Sequence, residues 1–290
     1  MNARRSLVSA LNLRSLLVGV QGQHNVVPVD ASYFLPAANR DAKREFAQSR
    51  IPGSRFFDVE GEFSVQDAPF PHTLCSRDAF ERGVRRMGLS NSSHIVLYDR
   101  SATGIFSAAR AWWMFVGFGH SKSLLSVLDG GFKAYTADAD APLESGEPAV
   151  PPESDYVAQE FDASMLRSFE QVRANEATQS ELVIDARAAD RFKCVVDEPR
   201  VNLRRGTIPG SCNVPFGSVL NADGTFKSDP ELRAIFSGLG VDDSTQLVFS
   251  CGSGITACVS AFAAHTCGIS ERIAVYDGSW TEYGTLVPKS

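Results

Sequence analysis

The sequence predicts an α/β protein built from two tandem copies of one fold, each a mainly parallel sheet flanked by helices. Three pairs of sequence marks carry that expectation. Ile51-Pro52-Gly53-Ser54 recurs as Ile208-Pro209-Gly210-Ser211, and the apolar run Ile95-Val96-Leu97-Tyr98 has a counterpart in Leu247-Val248-Phe249-Ser250. Leu128-Asp129-Gly130-Gly131-Phe132 then matches Tyr276-Asp277-Gly278-Ser279-Trp280. Self-similar marks in one fixed order are the signature of a repeated structural unit.

The elements follow in order. At the start, Leu7, Leu11 and Val18 fall at helical spacing, as in a first helix packed on a core. Arg4, Arg5 and Arg14 precede the first acidic residue, Asp30, which also gives this stretch the look of a mitochondrial presequence. In the first copy, β-rich runs at Val26–Val29, Ile95–Tyr98 and Leu124–Leu128 alternate with helix-like stretches. The second copy repeats this with Leu182–Asp185, Leu247–Ser250 and Ile273–Tyr276. Such alternation argues for a parallel sheet, in which ligands sit at the carboxyl ends of strands. Asp138–Tyr156, with Pro142, Pro148, Pro151, Pro152 and Gly146, reads as an extended, exposed linker. The expected domains are therefore residues 1–140, a linker over 141–158, and residues 159–290.

Composition narrows the function classes. With 290 residues, 43% of them hydrophobic and 21% charged, the chain can bury a core without disulfides or metals. A net charge of −6 argues against nucleic acid as a partner. No apolar run reaches the roughly 18 residues a membrane span needs, so no membrane partner is expected. The six cysteines (75, 194, 212, 251, 258 and 267) include no Cys-x-x-Cys, so neither a zinc ribbon nor a dithiol redox site is indicated. Neither metal nor organic cofactor is expected. A reducing compartment suits free thiols: the cytoplasm, with the mitochondrion as the alternative. Cys75 and Cys194 are the expected exposed thiols.

The chemistry concentrates at Cys251-Gly252-Ser253-Gly254-Ile255-Thr256-Ala257, directly after the strand-like Leu247-Val248-Phe249. A strand that stops at a cysteine, a glycine-punctuated loop and a helix from Ile255 can turn successive N–H groups toward one sulfur. The helix adds its positive end, and such donors favour the reactive thiolate. Gly252 and Gly254 are expected to supply positive φ angles and close backbone approach. Most free cysteines are merely buried; here the flanking loop argues otherwise. Ala257 stands where a phosphate-binding loop would need an arginine, and the loop lacks the flanking glycines of a Gly-x-Ser-x-Gly nucleophile elbow. In the first copy, Asp99-Arg100-Ser101-Ala102-Thr103-Gly104 replaces the cysteine loop, so that copy is expected to be inactive in thiol chemistry.

From about Leu7 to Tyr283 the sequence resembles the tandem-rhodanese sulfurtransferases. Its loop is similar to that of the family's mercaptopyruvate-using members, Cys-Gly-Ser/Thr-Gly-Val-Thr-Ala, whereas the thiosulfate-using members carry Arg-Lys after the cysteine. Two loop cations suit a doubly charged donor; a neutral loop suits a monocarboxylate. The resemblance implies two rhodanese-like domains with the active site in the interdomain cleft. Arg191 and Arg200 match the family's carboxylate-binding arginines, with Asp185 and Arg187 as a supporting ion pair. A Ser-His-Asp relay proposed for the family matches Ser253, His72 and Asp58, the last two in the first copy. The family usually has histidine before Ile-Pro-Gly, where this chain has Arg50 and Thr207, and proline is common at Cys75.

The implied reaction is attack of the Cys251 thiolate on the sulfur of 3-mercaptopyruvate, docked by Arg191 and Arg200. Pyruvate leaves, protonated with help from Ser253 or His72. The persulfide rests among the N–H groups of Gly252, Ser253, Gly254, Ile255 and Thr256 until a thiol acceptor, thioredoxin being the family's candidate, or cyanide in an assay removes the outer sulfur. The protein would work as a monomer or weak homodimer. Two other readings stand beside this one. Thiosulfate:cyanide sulfur transfer is opposed by the neutral loop, and a non-enzymatic persulfide carrier by the paired arginines, which a carrier does not need.

Overall fold

The computed structural model describes residues 6–18, 25–242 and 244–288. Among them the chain forms two compact units. Unit 1 comprises Met1–Val65, Cys75–Phe161 and Ala222–Phe226; unit 2 comprises Gln66–Leu74, Asp162–Asn221 and Lys227–Ser290. Each therefore takes in a short segment from the other end of the chain, and His72 belongs to unit 2.

Unit 1 holds the strands β1 (Leu7–Val8), β2 (Val26–Asp30), β3 (Arg55–Phe56), β4 (His94–Tyr98) and β5 (Leu125–Leu128). Its helices are α1 (Ala10–Val18), α2 (Ala42–Gln48), α3 (Arg77–Arg86), α4 (Ala108–Gly117) and α5 (Gly131–Tyr135). Unit 2 holds β6 (Leu166–Arg167), β7 (Leu182–Asp185), β8 (Cys212–Asn213), β9 (Leu247–Ser250) and β10 (Ile273–Tyr276). Its helices are α6 (Phe169–Thr178), α7 (Ala189–Phe192), α8 (Asp229–Ser237), α9 (Ile255–Cys267) and α10 (Ser279–Leu286).

The two sheets share one topology. Strand order is β1-β5-β4-β2-β3 in unit 1 and β6-β10-β9-β7-β8 in unit 2, with every pair parallel. The repeat extends to single hydrogen bonds. Ser54 Oγ donates to the Ile51 carbonyl and Ser211 Oγ to the Ile208 carbonyl, each at 2.6 Å. Gly53 and Gly210 hold the same left-handed turn, at φ +74° and +77°. Central strands are buried on both faces, as in a sheet covered by helices on each side: β4 is buried from Ile95 to Tyr98 and β9 throughout.

Two local expectations change. Leu7 lies in β1, while Leu11 and Val18 are 66% and 82% exposed, so the buried residue of α1 is Leu13. The nine-residue helix presents one leucine to the core, not the stripe inferred from spacing. Arg4 and Arg5 lie outside the described residues. The 138–156 segment is extended but not wholly exposed. Fully buried Arg50 reaches Glu144 at 2.5 Å and the Gly146 carbonyl at 2.6 Å, and Tyr156 is buried against His120. Arg50, which replaces the family's histidine, thus anchors the segment by satisfying its polar groups.

Candidate active site

Cys251 follows the last residue of β9 and is 2% exposed. Three residues later, Gly254 adopts φ +79° and starts α9. Helix geometry leaves the first-turn N–H groups, those of Ile255 to Ala257, without intrahelical partners, and α9 directs them at the loop. The Cys251–Thr256 loop is thereby placed at the carboxyl end of a central strand.

Ser279, at the start of α10, fixes the loop's backbone. Its Oγ accepts from the Cys251 N–H at 3.0 Å and the Gly254 N–H at 3.1 Å, and donates to the Tyr276 carbonyl at 2.8 Å. The Gly254 amide is thus committed to Ser279 and is not a sulfur donor, contrary to the expected set; Gly252, Ser253, Ile255 and Thr256 remain. From the other side, the Trp280 and Thr281 amides donate to the Cys251 and Gly252 carbonyls, each at 3.0 Å. Both carbonyls are drawn to α10, which leaves the loop's remaining amides to the opposite side.

Gly252 differs from expectation in its reason. Positive φ belongs to Gly254 and not to Gly252. A Cβ on Gly252 would lie 3.2 Å from Arg191 Nη2 and 3.5 Å from Arg200 Nη1. The glycine makes room for two guanidinium groups that converge beside the nucleophile.

Those half-buried guanidiniums stand at the outer end of a buried charge ladder. Arg187, fully buried, donates to Asp185 at 2.6 Å and to Glu198 at 2.6 Å. Glu198 also takes Arg191 Nη2, and Arg200 Nη2 donates to Ser253 Oγ at 3.1 Å. Burial raises the Asp185 carboxyl above the usual aspartate range, against the pull of Arg187. Among these five charged groups, three guanidiniums face two carboxylates, leaving one positive charge unmatched. Arg191 Nε is buried without a hydrogen-bond partner among the described residues. A donor in that state, beside an unmatched charge, is suited to a carboxylate.

Ser253 Oγ stands 2.9 Å from His72 Nδ1, and both residues are buried. Arg200 can only donate, so Ser253 accepts from it, and the His72 tautomer sets which way the Ser253–His72 bond runs. His72 holds a left-handed φ of +62°, uncommon for a residue other than glycine. Asp58 belongs to unit 1, where its carboxylate takes Lys43 Nζ at 2.5 Å and the Gly61 amide at 3.0 Å.

The first copy shows what an anion does at this position. Asp99 follows β4 as Cys251 follows β9, and Asp99 Oδ2 accepts from the amides of Phe106, Ser107 and Ala108 at 2.8–2.9 Å. Its carboxylate thus fills the N-terminus of α4. A buried carboxylate at the end of β2, Asp30, is met by Arg100 at 2.7 Å. In the second copy the equivalent Asp185 takes its arginine from position 187, which leaves the loop position after the nucleophile to glycine.

Ser279 and Glu198 were not singled out from sequence. A signal for Ser279 existed: the repeat pairs it with Gly131, and both are left-handed, at φ +51° and +60°. A serine where the copy has glycine holds a strained conformation, and its hydroxyl supplies the reason. Cys75, expected to be exposed, is 5% exposed, whereas Cys194 is exposed as expected.

The rhodanese-like domain family matches residues 24–138 and 168–285, one copy in each half. The chain is 38% identical over 279 residues to human 3-mercaptopyruvate sulfurtransferase, covering 96% of this chain and 92% of that one. It is 39% identical over 284 residues to chicken thiosulfate sulfurtransferase, covering 98% and 95%. A solved structure of SseA from Escherichia coli, a 3-mercaptopyruvate sulfotransferase by its description, aligns with TM-score 0.81 and 33% identity over 95% of this chain and 98% of that one. The chain belongs to the rhodanese family. Within it, the two tandem domains and the cysteine loop make it a tandem-domain sulfurtransferase. Among the described residues no helix is long and apolar enough to cross a membrane.

Proposed function

We propose that this chain transfers the sulfur of 3-mercaptopyruvate through a Cys251 persulfide to a thiol acceptor, releasing pyruvate. Relatives of both donor types are about equally similar, so overall identity does not choose the donor. The observation that carries the choice is the convergence of Arg191 and Arg200 on Gly252 in an uncharged loop, with one unmatched positive charge. A monocarboxylate brings one charge to the paired guanidiniums; a dianion would bring a second beside the Cys251 thiolate, with no cation in the loop to meet it.

The carboxylate and keto oxygen dock on Arg191 and Arg200, which sets the substrate's sulfur toward Cys251. The thiolate forms a sulfur–sulfur bond as the carbon–sulfur bond breaks, and that bond's electron pair becomes the pyruvate enolate. The proton carried on the substrate sulfur moves to the enolate carbon, with Ser253 and His72 as its route, leaving Cys251 as a persulfide anion. The amides of Gly252, Ser253, Ile255 and Thr256 hold that charge as the amides of Phe106, Ser107 and Ala108 hold Asp99. A second thiolate, that of thioredoxin or a small thiol, or cyanide, takes the outer sulfur and restores the Cys251 thiolate. Asp58 as third member of the relay remains part of the proposal.

Steady-state transfer to cyanide tests the donor. The reading expects kcat/KM for 3-mercaptopyruvate to exceed that for thiosulfate by about tenfold or more. A preference for thiosulfate would reassign the donor.

A further inference from the structure

Unit 1 carries a cavity of about 590 Å³ that has no part in the cysteine chemistry. Its floor is apolar, with Phe46, Phe56 and Met87, and residues 147–151 supply one wall. That wall is held at both ends. Before it, the Gly146 amide donates to the Ala47 carbonyl at 2.8 Å and Arg50 Nη1 to the Gly146 carbonyl. After it, Ser154 donates from its amide to the Arg85 carbonyl at 3.0 Å and from its hydroxyl to the Leu89 carbonyl at 2.5 Å. Between these anchors Pro151 packs on Gly88 so closely that a Cβ there would meet it at 2.7 Å. The cavity is thus framed by a strap with two fixed ends, and its size is that of a small-molecule site.

Its charge is lopsided. Lys43 and Arg86 line it with their own partners, Asp58 and Glu62. Arg44 has no acidic partner among the described residues, and Arg55 hydrogen-bonds to the carbonyls of Met87, Gly53 and Ser54 alone. Burial lowers the Arg55 guanidinium from its ordinary value. Glu147 is the acidic residue in the lining. Glu144, which also acts on Arg55, is held by Arg50. Outside that pair, four cations face three carboxylates, counting the two paired ones, and one positive charge is left over an apolar floor.

We propose that this cavity is a binding site for a monoanionic amphiphile, a small molecule with an apolar body and one carboxylate or similar anionic head. The apolar body covers Phe46, Phe56 and Met87, and the head meets Arg44 and Arg55. Because the strap is a wall of the site, an occupant binds the 147–151 segment and the sheet unit together.

Titration calorimetry with decanoate, decanol and decyltrimethylammonium tests this on the full-length protein. Decanoate is expected to bind saturably at one site, and decyltrimethylammonium at least about tenfold more weakly, since the head group decides by charge. Arg44→Glu should weaken decanoate by about tenfold or more. Position 44 is exposed, and its amide is capped by Asp41 in the first turn of α2, where a glutamate is favourable, so the fold should hold. Ala149→Glu, in the exposed strap, should have the same effect from the other wall. Unaltered decanoate affinity in both variants, equal binding of the cationic amphiphile, or absence of saturable binding would each overturn the proposal.

Discussion

The Ser279 hydroxyl holds the Cys251 amide at 3.0 Å while also holding the Gly254 amide at 3.1 Å, so one side chain spans the nucleophile's loop. Ser279 keeps a left-handed φ of +51° to do so, where the first copy has Gly131. Ser279→Gly relieves the backbone and removes the tether; Ser279→Ala removes only the tether. Both should lower kcat by about tenfold or more, as loss of organised donors does. KM for 3-mercaptopyruvate should stay near wild type, because the arginines are untouched. A rise in KM with kcat preserved would show that Ser279 acts on substrate docking instead. In urea unfolding, the glycine variant should be the more stable of the two.

Gly252 and Gly254 should answer differently to alanine. Gly254→Ala forces a left-handed Cβ at φ +79° and should cost about 1–2 kcal/mol of stability, read from the denaturant midpoint. Gly252→Ala faces no such strain, but its Cβ sits 3.2 Å from Arg191 Nη2. It should leave the midpoint nearly unchanged and raise KM for 3-mercaptopyruvate.

Arg187 and Arg191 share Glu198 yet should separate stability from binding. Arg187→Met strands buried Asp185 and takes from Glu198 one of its two arginines, and should destabilise by about 3–5 kcal/mol. Arg191→Met removes a side chain that is 22% exposed, with a smaller stability loss and a large fall in kcat/KM for 3-mercaptopyruvate. Matching unfolding curves for the two variants would contradict the division of roles.

Burial lifts the Asp99 carboxyl from 3.8 to about 6, against the pull of its amide donors. Between those pH values the folded protein holds a proton that the unfolded chain has released, so this group's contribution to stability falls as pH rises from about 4 to about 6. Asp99→Asn cannot titrate and should flatten that part of the curve. Urea midpoints measured across this range for both proteins check the sign.

The thiols should react in an order set by exposure. In a Cys251→Ser background, Cys194 should be alkylated first. Cys212 should lag, since burial pushes its thiol up to about 11, and buried Cys75 should be protected.

The repeat made the fold legible because both copies keep the same turn at Ile-Pro-Gly-Ser and the same strand before the loop. The six central strands could be placed from sequence within a residue or so, since each is a short, largely apolar and buried run. The edge strands β1, β3, β6 and β8 could not, because two residues carry no period. At the site, Cys251 was readable from its loop, whereas Arg191 and Arg200 came from the resemblance to the family and not from their own sequence context. Glu198 was not: a glutamate in a polar loop looks exposed until Arg187 and Arg191 are seen on either side. Nor does sequence tell that the 66–74 segment carries His72 into unit 2, which depends on tertiary packing alone.

The central claim is that Cys251 accepts one sulfur from a monocarboxylate donor. Intact mass of the purified protein after exposure to 3-mercaptopyruvate or to thiosulfate, with Cys251→Ser alongside, tests it most directly. The account predicts a gain of one sulfur, greater with 3-mercaptopyruvate and absent from the serine variant. A gain that persists in Cys251→Ser, or that appears only with thiosulfate, would contradict it.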